Sequence, residues 1–188
     1  MTALWIVLGV IAFLIICIVG WWITTYNALI RLRNRTKESF SGMDVYMKKR
    51  YDLIPNLVNT VKGYAKHEQE TLEKVIQARN TAYSAGTIEE KQKAEAGLTN
   101  ALKSLFALAE SYPDLKANEN FMDLQTQLRE IETEIADSRR FYNSRVLDLN
   151  NKIDMFPSNI VAKHYKFEKE PMFELDSPEE RKNVKVEF

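Results

Sequence analysis

His67 and Glu68 open the pattern of a zinc peptidase, in which two histidines four residues apart on one helix face hold the metal and the glutamate activates water. The position four after His67 is Thr71, so the second ligand is missing and His67 reads as an exposed helix residue. A helical bundle can instead hold a di-iron centre, which requires Glu-x-x-His pairs on facing helices. The residues three before His67 and His164 are Tyr64 and Val161, so neither histidine completes that motif. There is no glycine-rich phosphate loop, no Gly-x-Ser-x-Gly elbow and no cysteine in the polar part of the chain. The remaining carboxylates fall on long helical stretches and are expected to form a solvated face. The sequence therefore predicts no catalytic residue, no metal site, no cofactor and no enzymatic activity.

Two polar clusters merit attention for a different reason. Lys48, Lys49, Arg50 and Asp52 adjoin an apolar run that contains Pro55 and Asn56, while Arg139 and Arg140 stand beside Tyr142 and Asn143. Antiparallel packing would let the two clusters meet. They are then either surface charges whose stems cover the core, or a buried network of Arg50, Asp52, Arg139 and Asn143 that fixes helix register or receives a partner.

The elements that would position these residues begin with a membrane anchor. Ala3 to Ile23 form an uncharged, almost wholly apolar run of 21 residues, which as a helix spans about 30 Å, the hydrocarbon thickness of a bilayer. Trp5 at one end and Trp21, Trp22 and Tyr26 at the other fall where amphipathic rings favour the water interface. A cleaved signal peptide fits less well, because no basic residue precedes the run and no small-x-small cleavage site follows it. Cys17, the single cysteine, serves as a small apolar residue in lipid. Its solitude excludes a disulfide framework.

Charge sets the expected orientation. Arg31, Arg33, Arg35 and Lys37 follow the span directly, and the positive-inside rule then places the rest of the chain in the cytoplasm and the N-terminus outside. Residues 31–52 hold seven basic and three acidic groups, against a formal net charge of zero for the whole chain. This local excess sets topology or draws the stem onto anionic lipid headgroups. Overall neutrality argues against nucleic acid as a partner.

Beyond the anchor the chain reads as helix. Phe40, Met47, Ile54 and Val61 mark one apolar stripe, with Met43, Tyr51, Leu57, Val58, Leu72 and Val75 beside it. Only Pro55 interrupts this stretch before about Tyr83, so a continuous helix kinked at Pro55 is expected. Thr87 followed by Glu90 forms a capping box for the next helix, whose inner face carries Leu98, Leu102, Leu105 and Ala109 and which stops at Pro113. Phe121, Leu128, Ile135, Tyr142 and Leu149 recur every seven residues on a third long helix that ends near Met155. Ser158 can cap a short fourth helix through His164. Val184, Val186 and Phe188 then alternate with charged residues as an extended tail.

Four blocks carry a family resemblance: Tyr26 to Leu29, RYDLIPNLVNTVKGYAKHE from Arg50 to Glu68, SYPDLKANENF from Ser111 to Phe121, and RRFYN from Arg139 to Asn143. In their order they resemble the LemA family of bacterial membrane proteins. Phe40 stands where the family usually has Trp, and Gly42 is expected to interrupt the stem. The resemblance implies an N-terminal transmembrane helix followed by an antiparallel bundle, supplies no catalytic positions, and includes a branch associated with magnetosome membrane formation.

The resulting expectation is an all-α protein: a transmembrane helix continuing into an antiparallel bundle of three long helices, a short fourth helix and an extended C-terminal tail. Its segments are an anchor (1–25), a juxtamembrane stem (26–43), the bundle (44–168) and the tail (169–188). The expected function is a single-pass scaffold of the bacterial inner membrane, acting through self-association or through other membrane or cytoplasmic proteins. The alternatives are a lipid-binding protein that organises or shapes the membrane surface through its basic stem and a ring-like oligomer, and a small-molecule sensor or adaptor.

Overall fold

The computed structural model describes residues 2–174, and every regular element among them is a helix: α1 (Thr2–Tyr64), α2 (Gln69–Ser84), α3 (Ile88–Ala109), α4 (Pro113–Lys116), α5 (Glu119–Asp154) and α6 (Ser158–His164). The alternating tail at Val184, Val186 and Phe188 lies outside the described residues. The chain divides into two units, one built from residues up to Ser41 with Phe141–Met172, the other mainly from Gly42–Arg140. Helices α1 and α5 contribute to both.

In the first unit, the apolar run of α1 is exposed from its start through Gly20, and none of its 18 most apolar residues, with a mean hydropathy of 3.0, is buried. This is the one described helix long and apolar enough to cross a membrane. Below it, α1 pairs with the end of α5. Thr36 donates to the Arg145 carbonyl at 3.3 Å and Phe40 meets Tyr142 edge-on at 5.6 Å between ring centres, so the partner number falls as the α1 number rises and the pair is antiparallel. Leu29 anchors a small core with Leu149, Ile153, Val161 and Ala162. Burying each of the Leu, Ile and Val side chains stabilises the fold by about 1.5–3 kcal/mol. After α6 the chain returns along α5, where Asn150 exchanges two hydrogen bonds with the Glu170 backbone at 2.9 and 3.0 Å and the Tyr142 hydroxyl donates to the Pro171 carbonyl at 2.9 Å.

The second unit is a bundle of four long helices rather than three. The expected helix through Tyr83 stops at Tyr64, and a turn at Ala65–Glu68 reverses the chain into α2. The physical reason is visible in Lys66 to Thr71, six consecutive polar residues that leave the apolar stripe empty for more than a turn. Folding back lets Leu72, Val75 and Ala82 bury against the bundle instead of extending into water. α3 then runs parallel to α1, since Asp44 pairs with Lys91 and Arg50 with Glu95, while α5 runs antiparallel, with Arg50 facing Glu132 and Tyr64 accepting from Asn118 at 3.0 Å.

Local rules explain the ends. Thr87 accepts from the Glu90 N–H at 3.1 Å and the Glu90 carboxylate accepts from the Thr87 and Gly86 N–H groups, the capping box its spacing predicts. Those backbone donors hold the Glu90 carboxyl below its usual pKa. Pro113 opens the single turn α4 as its first residue, where its missing N–H costs nothing. Two expectations are corrected. Gly42 does not interrupt α1, which is helical on both sides of it. Ser158 is the first residue of α6 rather than its cap, and its hydroxyl donates to the Met155 carbonyl at 2.9 Å.

Candidate functional site

The bundle's inner faces are spaced by alternating steps of four and three residues, and several positions on them are charged. On α1 the series Met43, Met47, Arg50, Ile54, Leu57, Val61 places Arg50 among buried apolar residues. On α3, Lys91 and Glu95 precede Leu98, Leu102, Leu105 and Ala109 on the same rhythm. On α2, Arg79 sits between Val75 and Ala82. A charge on a core position must find a partner or it costs several kcal/mol.

Each of these charges has one. Arg50 is 1% exposed and donates through its two terminal nitrogens to Glu95 and Glu132, joining α1 to α3 and α5. The Tyr51 hydroxyl donates to the second oxygen of Glu95, so that buried carboxylate is held from two neighbouring residues. Burial pushes the Tyr51 phenol up to about 12, with the Arg50 charge opposing and the Asp44 charge reinforcing the shift. Asp44 pairs with Lys91 of α3 and, at 3.4 Å, with Lys48 of its own helix. Burial works against its charge, but the two ammonium groups prevail and lower its pKa from 3.8.

Pro55 creates the other feature of the site. Without an N–H it leaves the Tyr51 carbonyl, four residues earlier, free of its helical bond. Arg79 fills that vacancy, donating through Nε at 3.2 Å, while its guanidinium lies 5.0 Å above the Tyr83 ring. Beside this junction a groove of about 720 Å³ opens between α1 and α2, with Pro55, Val58, Leu72 and Ile76 as an apolar floor and Lys62 and Glu73 on its rim.

Of the residues singled out in the sequence, Arg50 lies in this network. Asp52 does not: its side chain is 74% exposed and stands 4.0 Å from Arg79. Consecutive helix positions face about 100° apart, so Asp52 cannot share the inner face with Arg50. Arg139 and Asn143 are half-buried on α5, but Glu132 is the α5 residue that faces Arg50, and Arg139 lies seven residues, about 10 Å, farther along the helix. Asn56 is exposed and Tyr142 is buried against Phe40. Glu95, Glu132, Lys91 and Arg79 escaped the sequence reading. The signal that finds them is a charged residue falling on the four-three rhythm of an apolar stripe.

Near the apolar run, Trp5 is exposed and Trp21, Trp22 and Tyr26 are half-buried. Arg31, Arg35 and Lys37 are exposed, whereas the Arg33 guanidinium lies 5.3 Å over the Phe167 ring. Among the described residues, no three His, Cys, Asp or Glu side chains are grouped to hold a metal ion.

Comparison with known proteins gives a consistent result. A family model described as the LemA family matches residues 39–188. Protein LemA of Metamycoplasma hominis is 30% identical over 141 residues, covering 72% of this chain and 63% of that protein. Magnetosome protein MamQ 2 of Paramagnetospirillum magneticum is 25% identical over 182 residues, covering 83% of this chain and 65% of that protein. Magnetosome protein MamQ of Magnetospirillum gryphiswaldense is 24% identical over 163 residues, covering 73% and 60%. The chain thus spans less than two thirds of the length of each of these relatives.

Proposed function

The chain belongs to the LemA family, and from that premise we propose that it is a membrane-anchored helical scaffold that works through self-association or protein partners and catalyses no reaction. The observation that carries this reading is the use of the buried charges. Arg50, Glu95, Glu132, Asp44 and Lys91 are spent on tying α1, α3 and α5 to one another, and a charge held in such a pair is a poor acid, base or nucleophile. The exposed apolar run of α1 supplies the anchor. The basic stem orients the bundle toward the cytoplasm of the bacterial inner membrane. The groove beside Pro55 offers an apolar floor for a partner.

The test is the mass of the full-length protein in native nanodiscs, read by light scattering and single-particle imaging, together with crosslinking in cells. A discrete oligomer or a reproducible crosslinked partner is expected. A strict monomer from which no partner is recovered would sink the scaffold reading.

A second reading, that the protein organises the bilayer surface, is favoured by the exposure of Arg31, Arg35 and Lys37 just beyond the apolar run and by the relatives named as magnetosome proteins. Neutralising Arg31, Arg33, Arg35 and Lys37 together abolishes an effect on anionic liposomes under this reading and leaves scaffold assembly unchanged.

A further inference from the structure

The most exposed of the large apolar side chains described is not in the membrane anchor. Phe156, in the turn between α5 and α6, is 80% exposed, more than Trp5 at 71% in the apolar run, and it is flanked by Met155 at 62% and Ile160 at 48%. α6 turns Val161 and Ala162 onto Leu29 of α1 and leaves Ile160 facing outward. An apolar side chain left in water forfeits about 1.5–3 kcal/mol relative to burial. A continuous cluster of this kind marks a surface that meets another phase or another protein.

Its position within the first unit identifies which. Ile153, Val161 and Ala162 pack on Leu29, six residues and so about 9 Å past the end of the apolar run at Ile23. The antiparallel register of Phe40 with Tyr142 and of Thr36 with Arg145, continued along α5, sets the turn after Asp154 level with about residues 25–28 of α1, and the far end of α6 reaches the run itself. Trp22 donates to the Tyr165 hydroxyl at 3.4 Å and meets His164 edge-on at 5.5 Å, and Tyr26 lies 4.5 Å from Tyr165. The headgroup layer extends about 5–8 Å beyond the hydrocarbon. The α5–α6 turn and the end of α6 therefore both stand at headgroup depth wherever Trp21 and Trp22 mark the interface.

The chemistry of the segment suits that depth. Met155 to Phe167 contains Lys163, His164 and Lys166 and no carboxylate, the pairing of apolar and basic residues that lies flat in an anionic bilayer surface. The Arg33 guanidinium over Phe167 extends the same positive surface onto α1. Lys166 closes α6 with φ at 52°, a conformation that favours glycine. It holds the last turn in place, with the Phe167 N–H donating to the Ala162 carbonyl at 2.9 Å.

We propose that the α5–α6 turn and the tip of α6 form a second membrane contact, with Met155, Phe156 and Ile160 inserted among the headgroups of an anionic leaflet beside the anchor and Lys163 and Lys166 paired to lipid phosphates. This rests on the reading of α1 as a membrane span, and the test separates the two.

The full-length protein, with Cys17→Ala and one new cysteine at a time, is labelled with an environment-sensitive fluorophore and reconstituted at one copy per vesicle. The vesicles are phosphatidylcholine with 30 mol% phosphatidylglycerol, with and without lipids that carry a quencher in the upper acyl chain. The cysteines are Phe156→Cys in the turn, Ile16→Cys in the anchor and Ser104→Cys on α3 as a solvated reference. Quenching at 156 at least twice that at 104 is expected, falling at least twofold in Lys163→Glu/Lys166→Glu or in pure phosphatidylcholine. Quenching at 16 with none at 156 overturns the second contact while leaving the anchor intact. No quenching at 16 overturns the anchor and the second contact with it. In a parallel reconstitution at many copies per vesicle, a 156 label that is shielded only there, without lipid quenching, assigns the turn to another copy of the chain and also overturns the proposal.

Discussion

Arg79 of α2 donates to the backbone carbonyl of Tyr51 at 3.2 Å, the carbonyl that Pro55 leaves without a helical donor. A proline inside a helix normally costs about 3 kcal/mol, part of it the unmet carbonyl. Here a side chain from the neighbouring helix offsets that part and fixes the height of α2 against α1.

The two residues should therefore be coupled. Arg79→Ala alone is expected to cost about 1–2 kcal/mol, the lost hydrogen bond plus its contact with Tyr83. In a Pro55→Ala background, where residue 55 again donates to Tyr51, the same change should cost about half as much. A double-mutant cycle on the full chain in mild detergent, followed by circular dichroism during unfolding, measures the coupling. Additive effects would mean that Arg79 does not serve Pro55.

Arg50 is the charge with most at stake. Arg50→Ala leaves Glu95 buried without its cation and is expected to destabilise by about 3–5 kcal/mol. The triple variant Arg50→Met/Tyr51→Phe/Glu95→Leu removes the fully buried polar groups, leaving only half-exposed Glu132, and should recover most of that loss. Glu132→Ala, whose side chain is 43% exposed, should cost no more than about 1 kcal/mol. Exposed Asp52→Ala should stay within about 0.5 kcal/mol. Thermal midpoints of the four proteins decide the order.

Tyr51 predicts a stability loss in alkali. Its folded pKa is raised from 10.0 to about 12, so the unfolded chain gives up its proton first. The stabilisation is full below pH 10 and disappears as pH rises through 12, a change of order 2 kcal/mol. At neutral pH Tyr51→Phe should be the less stable protein, because Glu95 loses a donor. The gap to wild type should narrow between pH 10 and 12, and a constant gap across that range would contradict the assignment.

Asp44 predicts the opposite behaviour in acid. Its folded pKa lies below 3.8, the Lys91 and Lys48 charges overcoming burial. Its contribution is therefore complete above pH 3.8 and lost as pH falls through the lower folded value. The stability difference between wild type and Asp44→Asn should be flat from pH 7 to 5 and shrink below 3.8, as read from acid unfolding curves.

Lys166 carries a local strain that glycine would relieve. With φ at 52°, Lys166→Gly should stabilise the α6 end by about 0.5–1 kcal/mol, whereas Lys166→Ala should not. Hydrogen exchange at the Phe167 amide, whose bond to Ala162 closes the motif, gives the readout.

Periodicity and punctuation made much of the fold legible. The apolar run from Ala3 to Ile23, the seven-residue rhythm from Phe121 to Leu149 and the Thr87–Glu90 capping box each encode their element locally, and each is present as read. Family membership was equally legible, and three of the four blocks, Arg50 to Glu68, Ser111 to Phe121 and Arg139 to Asn143, fall within the matched residues 39–188. The reversal after Tyr64 was missed because no proline follows it and Gly63, the residue before the helix end, sits inside the helix rather than in a left-handed cap. Its signals are that glycine and the polar stretch from Lys66 to Thr71.

The sequence by itself determined which segments are helical, which faces are apolar and where the chain can cross a bilayer, because those properties depend on residues within a few positions of one another. Only the tertiary structure decided that Arg50 joins Glu95 and Glu132 rather than a network with Asp52, that Arg79 serves the carbonyl freed by Pro55, and that the end of α6 reaches Trp22 while Phe156 is left bare. Those facts join residues tens of positions apart, and a buried charge or an uncovered ring takes its meaning from the neighbour that long-range packing supplies or withholds.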